Sequence, residues 1–144
     1  MPEIAEPTTV LAVDPGRSKC GVAVGIGPND MQRLRLCVVE TARLIPAMRE
    51  LFDQFPRISA VVMGNGTNSA TLRKAVQSAF PLISLHLVDE HGTSLMARTR
   101  YLTEHTPRGM GRLLPFGLRN PSVPIDDYVA LILLEQFFSN ISRY

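Results

Sequence analysis

The first half of the chain contains three short apolar runs separated by turn sequences. The runs are rich in valine, have the length of β-strands and cover residues 9–14, 20–26 and 34–39. The segments between them include PGRSK and GPND, whose glycine, proline and asparagine are typical of tight turns. Two short connections between three strands predict an antiparallel meander.

The second half alternates helical and strand patterns. Apolar residues recur at helical spacing over residues 41–55, and Pro46 falls within the first turns, where proline is tolerated. Further helices are predicted from Asn68 or Ser69 to Phe80, from Thr93 or Ser94 to about Glu104, and from a first turn at Pro124 to Phe138. Strands are predicted at residues 59–63 and 83–88.

The resulting order, βββαβαβα, predicts an α/β fold. Strands joined by helical crossovers lie parallel, because the crossover returns the chain to the same edge of the sheet. We therefore expect a mixed five-stranded sheet, with three antiparallel and then two parallel strands, and helices on both faces.

Composition is that of a globular domain rather than a membrane or secreted scaffold. The chain has 144 residues, of which 45% are hydrophobic. Residues 9–144 are predicted to form one domain, and residues 1–8, with two prolines and two glutamates, a disordered lead. No apolar run reaches the ~18 residues of a membrane span. We expect a cytoplasmic protein with no membrane partner.

Acidic residues stand where predicted elements end or begin. Asp14 ends the first strand, Asp89 and Glu90 follow the fifth, and Asp126 and Asp127 open the last helix. Ligands of open α/β sheets bind beyond the carboxyl ends of the parallel strands. If these acids share one rim, their oxygen ligands suit Mg²⁺ or Mn²⁺, which can promote hydrolysis of phosphodiester bonds.

Each acid also has a purely structural explanation. Asp14 precedes Pro15 and Gly16 in an ordinary turn sequence. Asp126 and Asp127 lie where a helix N-terminus favours acids, and Glu90 can be a surface residue. Only their coincidence at one rim favours a functional interpretation.

Three segments resemble the signature segments of one family. They are LAVDPGRSKCGVAVG, VDEHGTSLMA and PIDDYVALILLEQFF, and in this order they resemble the YqgF-type proteins over about residues 9–139. That family is a RuvC-like branch of the ribonuclease H fold. The resemblance implies a nuclease that processes precursor 16S ribosomal RNA or resolves Holliday junctions. Both a monomer and a homodimer fit the sequence.

The resemblance assigns roles to individual positions. Asp14, Glu90 and Asp126 match the family's acids, which implies that they are catalytic and bind Mg²⁺ or Mn²⁺. Asp127 is an extra neighbour that either shares the metal or caps the helix.

The chain also departs from the pattern of the family that it resembles. His91 stands where the family usually has arginine, and Gly92 follows it. RuvC resolvases are expected to carry an acid after the fourth strand, where this chain has Gly64, Asn65 and Gly66. Asn65 either belongs to a phosphate-binding strand–helix junction or to an ordinary Asn-Gly turn.

Basic residues near the acids are candidates for contact with nucleic acid. The net charge is only +2, but thirteen of the fifteen basic residues are arginine, whose planar group suits phosphate. An acid-free stretch before Asp126 carries three of them, although a solvated loop would look the same. The candidate nucleic-acid-binding residues are Arg17, Lys19, Asn65, His91, Arg108, Arg112 and Arg119.

Three functions are compatible with these observations. The first is a metal-dependent endonuclease of structured RNA, most simply precursor 16S ribosomal RNA. The second is a resolvase of branched DNA that uses the same acids. The third is a non-catalytic module that binds nucleic acid or a ribosome precursor, which the His91 departure and the modest net charge favour.

Overall fold

The first apolar run of the chain forms the central strand of a sheet in the computed structural model, which describes residues 6–66, 69–105 and 125–141. This strand, β1 (Thr8–Asp14), is buried on both faces, as expected where helices cover both sides. The five strands lie in the order β3-β2-β1-β4-β5. The remaining strands are β2 (Lys19–Gly27), β3 (Gln32–Glu40), β4 (Ile58–Gly64) and β5 (Ser84–Val88).

The strand directions are those that the connections predict. β1 pairs with β2 and β2 with β3 in antiparallel fashion, whereas β1 pairs with β4 and β4 with β5 in parallel. The mixed five-stranded sheet is therefore confirmed, with its parallel half following the helical crossovers.

Helices cover both faces of the sheet. Side chains alternate along a strand, so Val10 and Ala12 of β1 pack with one group of helices and Leu11 and Val13 with the other. The helices are α1 (Leu44–Gln54), α2 (Ser69–Ala79), α3 (Thr93–His105) and α4 (Asp126–Ile141). Buried residues of α3 and α4 lie on the Val10 face, and those of α1 and α2 on the Leu11 face.

The first predicted helix begins later than the periodicity indicates. Residues Thr41–Arg43 form a short 3₁₀ turn instead. The Thr41 backbone N–H donates to the Ser18 carbonyl at 2.9 Å, and its hydroxyl donates to the Gly16 carbonyl at 2.8 Å. These bonds tie residue 41 to the β1–β2 turn. The other element ends differ by at most three residues from the predicted ones, and Pro124 lies outside the described residues.

The register brings the carboxyl ends of the parallel strands to one rim. Val13 of β1 is level with Met63 of β4, and Gly64 is level with Val88 of β5. The segments that follow these three strands therefore start side by side. Across residues 6–66, 69–105 and 125–141, no helix combines the length and apolarity needed to span a bilayer.

Candidate active site

The predicted acids approach one another at this rim. Asp14 is the last residue of β1, and Glu90 lies two residues beyond the end of β5. Asp126 is the first residue of α4. The structure thus brings together residues from three elements that are far apart in sequence.

A glycine in β2 allows α4 to start next to Asp14. Gly21 is paired with Asp14 in the antiparallel register. A Cβ atom on Gly21 would overlap the backbone carbonyl of Asp126 and lie 2.7 Å from the backbone nitrogen of Asp127. Glycine within a strand commonly marks such a close approach of another backbone. The first turn of α4 therefore sits directly over the strand residue beside Asp14.

The Asp14 carboxyl group titrates in an unusual range. Burial, followed by the negative charges of Glu90 and Asp126 and by a hydrogen bond shared with Glu90, raises the pKa of Asp14 to about 7. Burial also raises the pKa of Glu90. The raised pKa values of Asp14 and Glu90 both show that the two carboxyl groups are held close together and partly out of water.

The surroundings of Glu90 suit a cation. Its Oε1 atom is buried and has no hydrogen-bond partner among the described residues. A buried carboxylate oxygen without a donor is costly unless a positive charge compensates it. Two neighbouring carboxylates, one of them with an oxygen that lacks a hydrogen-bond donor, fit a divalent ion such as Mg²⁺. This ion is often held by one or two carboxylates plus substrate phosphate.

The acids do not form a closed metal cage. Within the part of the chain that the structure describes, no three His, Cys, Asp or Glu side chains are grouped closely enough to hold a metal ion. The negative charge of Glu90 raises the pKa of Asp14 more than that of Asp126 does, and Glu90 also shares a hydrogen bond with Asp14. Water or substrate oxygens would therefore have to complete the shell of a bound ion.

Asp127 is engaged with its own helix. Its Oδ1 atom accepts a hydrogen bond from the Tyr128 backbone N–H at 3.0 Å. Burial raises the pKa of Asp127. Asp127 is the second residue of α4, and the Tyr128 N–H also donates to the Ile125 carbonyl at 3.0 Å, so the contact is local to the first helical turn.

Asn65 and His91 hold the loops that follow β4 and β5. The Asn65 Oδ1 atom accepts from the Glu90 backbone N–H at 3.2 Å, and the Asn65 N–H donates to the Val88 carbonyl at 3.1 Å. The His91 backbone N–H donates to Asp89 Oδ1 at 3.0 Å, and its side chain is exposed. The Asn65 side chain thus contacts the proposed catalytic glutamate.

The basic candidates divide into two groups. Arg17 and Lys19 are exposed in and just after the turn that follows Asp14. Because Thr41 hydrogen-bonds to this turn, the two cations are carried by a tethered segment. Arg108, Arg112 and Arg119 lie outside the described residues.

Thr93 is a residue of the site that the sequence analysis does not predict. Thr93 is only 1% exposed, and its hydroxyl donates to the Glu90 carbonyl at 2.6 Å. Its backbone N–H donates to the same carbonyl at 3.0 Å. Thr93 marks the start of a helix in the sequence, but the signal for a role beside Glu90 is only its spacing of three residues.

Solved structures of junction resolvases are similar to this chain along most of its length. T. thermophilus RuvC in complex with a Holliday junction substrate has a TM-score of 0.58 and 19% identity, covering 94% of this chain and 96% of that chain. Fowlpox virus resolvase with its Holliday junction DNA has a TM-score of 0.61 and 8% identity, covering 93% and 99%. No family model and no curated protein matches the sequence. At these identities the likeness identifies the architecture, and the chain has the ribonuclease H-like fold of the RuvC and poxvirus resolvases.

Proposed function

We propose that the chain is a divalent-metal-dependent endonuclease of structured nucleic acid. The observation that carries the proposal is the half-buried Asp14–Glu90 pair, with an Asp14 pKa of about 7 and a buried Glu90 oxygen that has no donor among the described residues. Carboxylates kept close together and partly out of water are typical of sites that use their charge in chemistry.

Asp14 and Glu90 would hold Mg²⁺ or Mn²⁺ together with water and substrate oxygens, and Asp126 and Asp127 would add negative charge from the start of α4. A bound ion supplies the positive charge that makes water a better nucleophile and offsets the charge that develops on the phosphate. Arg17 and Lys19, exposed next to Asp14, would bind the flanking phosphates and fix the strand. When water attacks phosphorus, the bond from phosphorus to the 3′ oxygen breaks and that oxygen takes up a proton. The products are a 3′-hydroxyl and a 5′-phosphate.

Two substrates follow from different observations. The three sequence segments favour precursor 16S ribosomal RNA, through the YqgF-type resemblance. The similarity to resolvases bound to Holliday junctions favours branched DNA. Cleavage of a junction requires two active sites that act on opposing strands, so a dimer in solution would accompany the second function.

Cleavage assays on both substrates test the proposal. We expect the wild-type protein with Mn²⁺ to cut either an end-labelled precursor RNA or a four-way DNA junction, and Asp14→Asn to be slower by at least about 100-fold. Asp53→Asn, which changes an exposed aspartate of α1, is the matched control and should cut at the wild-type rate. Asp14→Asn cleavage at the wild-type rate would reject the assignment. A wild-type protein that binds nucleic acid but never cuts it would be a binding module instead.

A further inference from the structure

The space around the Glu90 side chain is created by two glycines at the end of β4. A Cβ atom on Gly64 would overlap Glu90 Oε1 and lie 2.5 Å from both its Cγ and Cδ atoms. A Cβ atom on Gly66 would overlap Glu90 Oε2 and lie 3.0 Å from its Cδ atom. At both glycines, apart from their chain neighbours, the three nearest atoms all belong to this one side chain.

The residue between the glycines holds the backbone of Glu90. Asn65 accepts the Glu90 N–H through its side chain and donates its own N–H to the Val88 carbonyl. From the other side, the buried Thr93 hydroxyl donates to the Glu90 carbonyl. Both backbone groups of Glu90 are therefore bonded while its carboxylate lies over the glycines.

We propose that Gly64, Asn65 and Gly66 form a cradle that positions the Glu90 carboxylate against Asp14. Gly64 and Gly66 are positioning residues because they have no side chains, and Asn65 is one because it fixes the Glu90 backbone. This inference rests on the proposed function for its consequence in catalysis. The packing of the Glu90 side chain over Gly64 and Gly66 does not depend on the proposed function.

The cradle differs physically from a phosphate-binding turn at the same residues. A phosphate site would use the backbone N–H groups of these residues, and added methyl groups would obstruct the nucleic acid itself. In the cradle, the added methyl groups displace a carboxylate and leave the nucleic-acid surface intact. Mn²⁺ affinity and metal-free affinity for nucleic acid therefore distinguish the two.

The first test measures binding with Gly66→Ala, whose new methyl group has the end of the Glu90 side chain as its three nearest atoms apart from its chain neighbours. We expect Mn²⁺ affinity, measured by calorimetry, to fall at least about 10-fold, as for loss of a group that orients a ligand. Affinity for a labelled four-way DNA junction in EDTA should stay within about two-fold of wild type. Unchanged Mn²⁺ affinity in Gly66→Ala, or loss of junction affinity in EDTA, would overturn the cradle.

The second test measures packing without metal or substrate. In EDTA, Gly64→Ala should lower the Tm by several degrees in the wild-type background, since the Glu90 Cγ must move. In the Glu90→Ala background the same change should cost at most about one degree, because the obstructing atoms are gone. Equal Tm losses in both backgrounds would reject the cradle. A wild-type protein that binds no Mn²⁺ would instead defeat the proposed function, and this Tm cycle would still judge the cradle.

Discussion

Asp14 is placed where its negative charge is unfavourable to folding. Its pKa of about 7 lies above the ordinary value of 3.8, first because of burial and then because of Glu90 and Asp126. Between about pH 4 and pH 7, the Asp14 carboxyl group therefore keeps a proton in the folded state that it has released in the unfolded chain. Stability contributed by this residue falls as the pH rises from about 4 through 7, and the loss is complete above that range.

Replacing this carboxyl group should therefore stabilise the metal-free protein. We expect Asp14→Asn in EDTA at pH 8 to raise the free energy of unfolding by about 1–3 kcal/mol, less than the full shift implies because the site is partly exposed. Urea unfolding between pH 4 and pH 8 should show the difference vanish at the acidic end. Asp53→Asn should leave the profile unchanged, and an Asp14→Asn protein less stable than wild type at pH 8 would contradict the assigned environment.

Substitutions at Gly92 test whether the stability of the turn after Glu90 depends on a left-handed backbone conformation. Its φ is +76°, and a Cβ atom there would have no atom within 4 Å. Gly92→Ala should therefore cost about 1 kcal/mol through backbone strain alone. Gly92→Asn should cost less, since asparagine tolerates this region. Denaturant unfolding of both variants measures the difference, and a larger loss for asparagine would exclude strain as the cause.

At the scale of elements, one glutamate joins β3, α3 and α4. Glu104 accepts hydrogen bonds from the Arg33 guanidinium at 2.8 and 2.5 Å and from the Tyr128 hydroxyl at 2.9 Å. The Arg33 hydrogen bonds lower the pKa of Glu104 to about 2. Its contribution to stability is present above pH 4.5 and is lost as the pH falls towards 2.

Glu104→Gln should therefore weaken this junction only while the carboxylate is charged. We expect a loss of about 0.5–1 kcal/mol at pH 7, as for a partly exposed ion pair, with the difference narrowing below pH 4.5. Glu135→Gln is the matched comparison, because Glu135 accepts two hydrogen bonds from Arg100 at similar exposure. Urea titrations at several pH values provide the measurement. An equal loss at pH 7 and pH 3 would show that packing, not charge, is responsible.

The elements themselves were predictable because their signals are local. The valine-rich run ending at Asp14 and the periodicity of the helices determine the order of elements along the chain, and with it the directions of the strands. The role of Gly64 was not predictable, because glycine looks the same whether it forms a turn or makes room for Glu90. Asn65 was predicted as a phosphate ligand or a turn residue, yet its side chain bonds to a backbone group 25 positions away. Such contacts depend on how β4 and β5 are packed, which no short segment encodes.

At the scale of the whole molecule, exposed cations lie at both ends of the sheet. Arg17 and Lys19 are exposed at the rim that carries Asp14. Arg57 is exposed immediately before β4, at the opposite end of the parallel strands. With a net charge of only +2, the position of each cation matters more than the total.

The salt dependence of nucleic-acid binding tests whether the cations at the Asp14 rim, rather than those at the opposite end, contact phosphates. If Arg17 and Lys19 contact phosphates, the variant with both residues changed to glutamine should bind a four-way DNA junction more weakly in EDTA. The slope of log K against log salt should shrink in magnitude by about 1–2, because each neutralised phosphate contributes roughly 0.9. Arg57→Gln should keep the wild-type slope, since that residue lies at the far end of the sheet. If the slope changed equally per charge removed at the two ends, the protein would bind through its overall charge. The rim at Asp14 would then not be the nucleic-acid-binding surface.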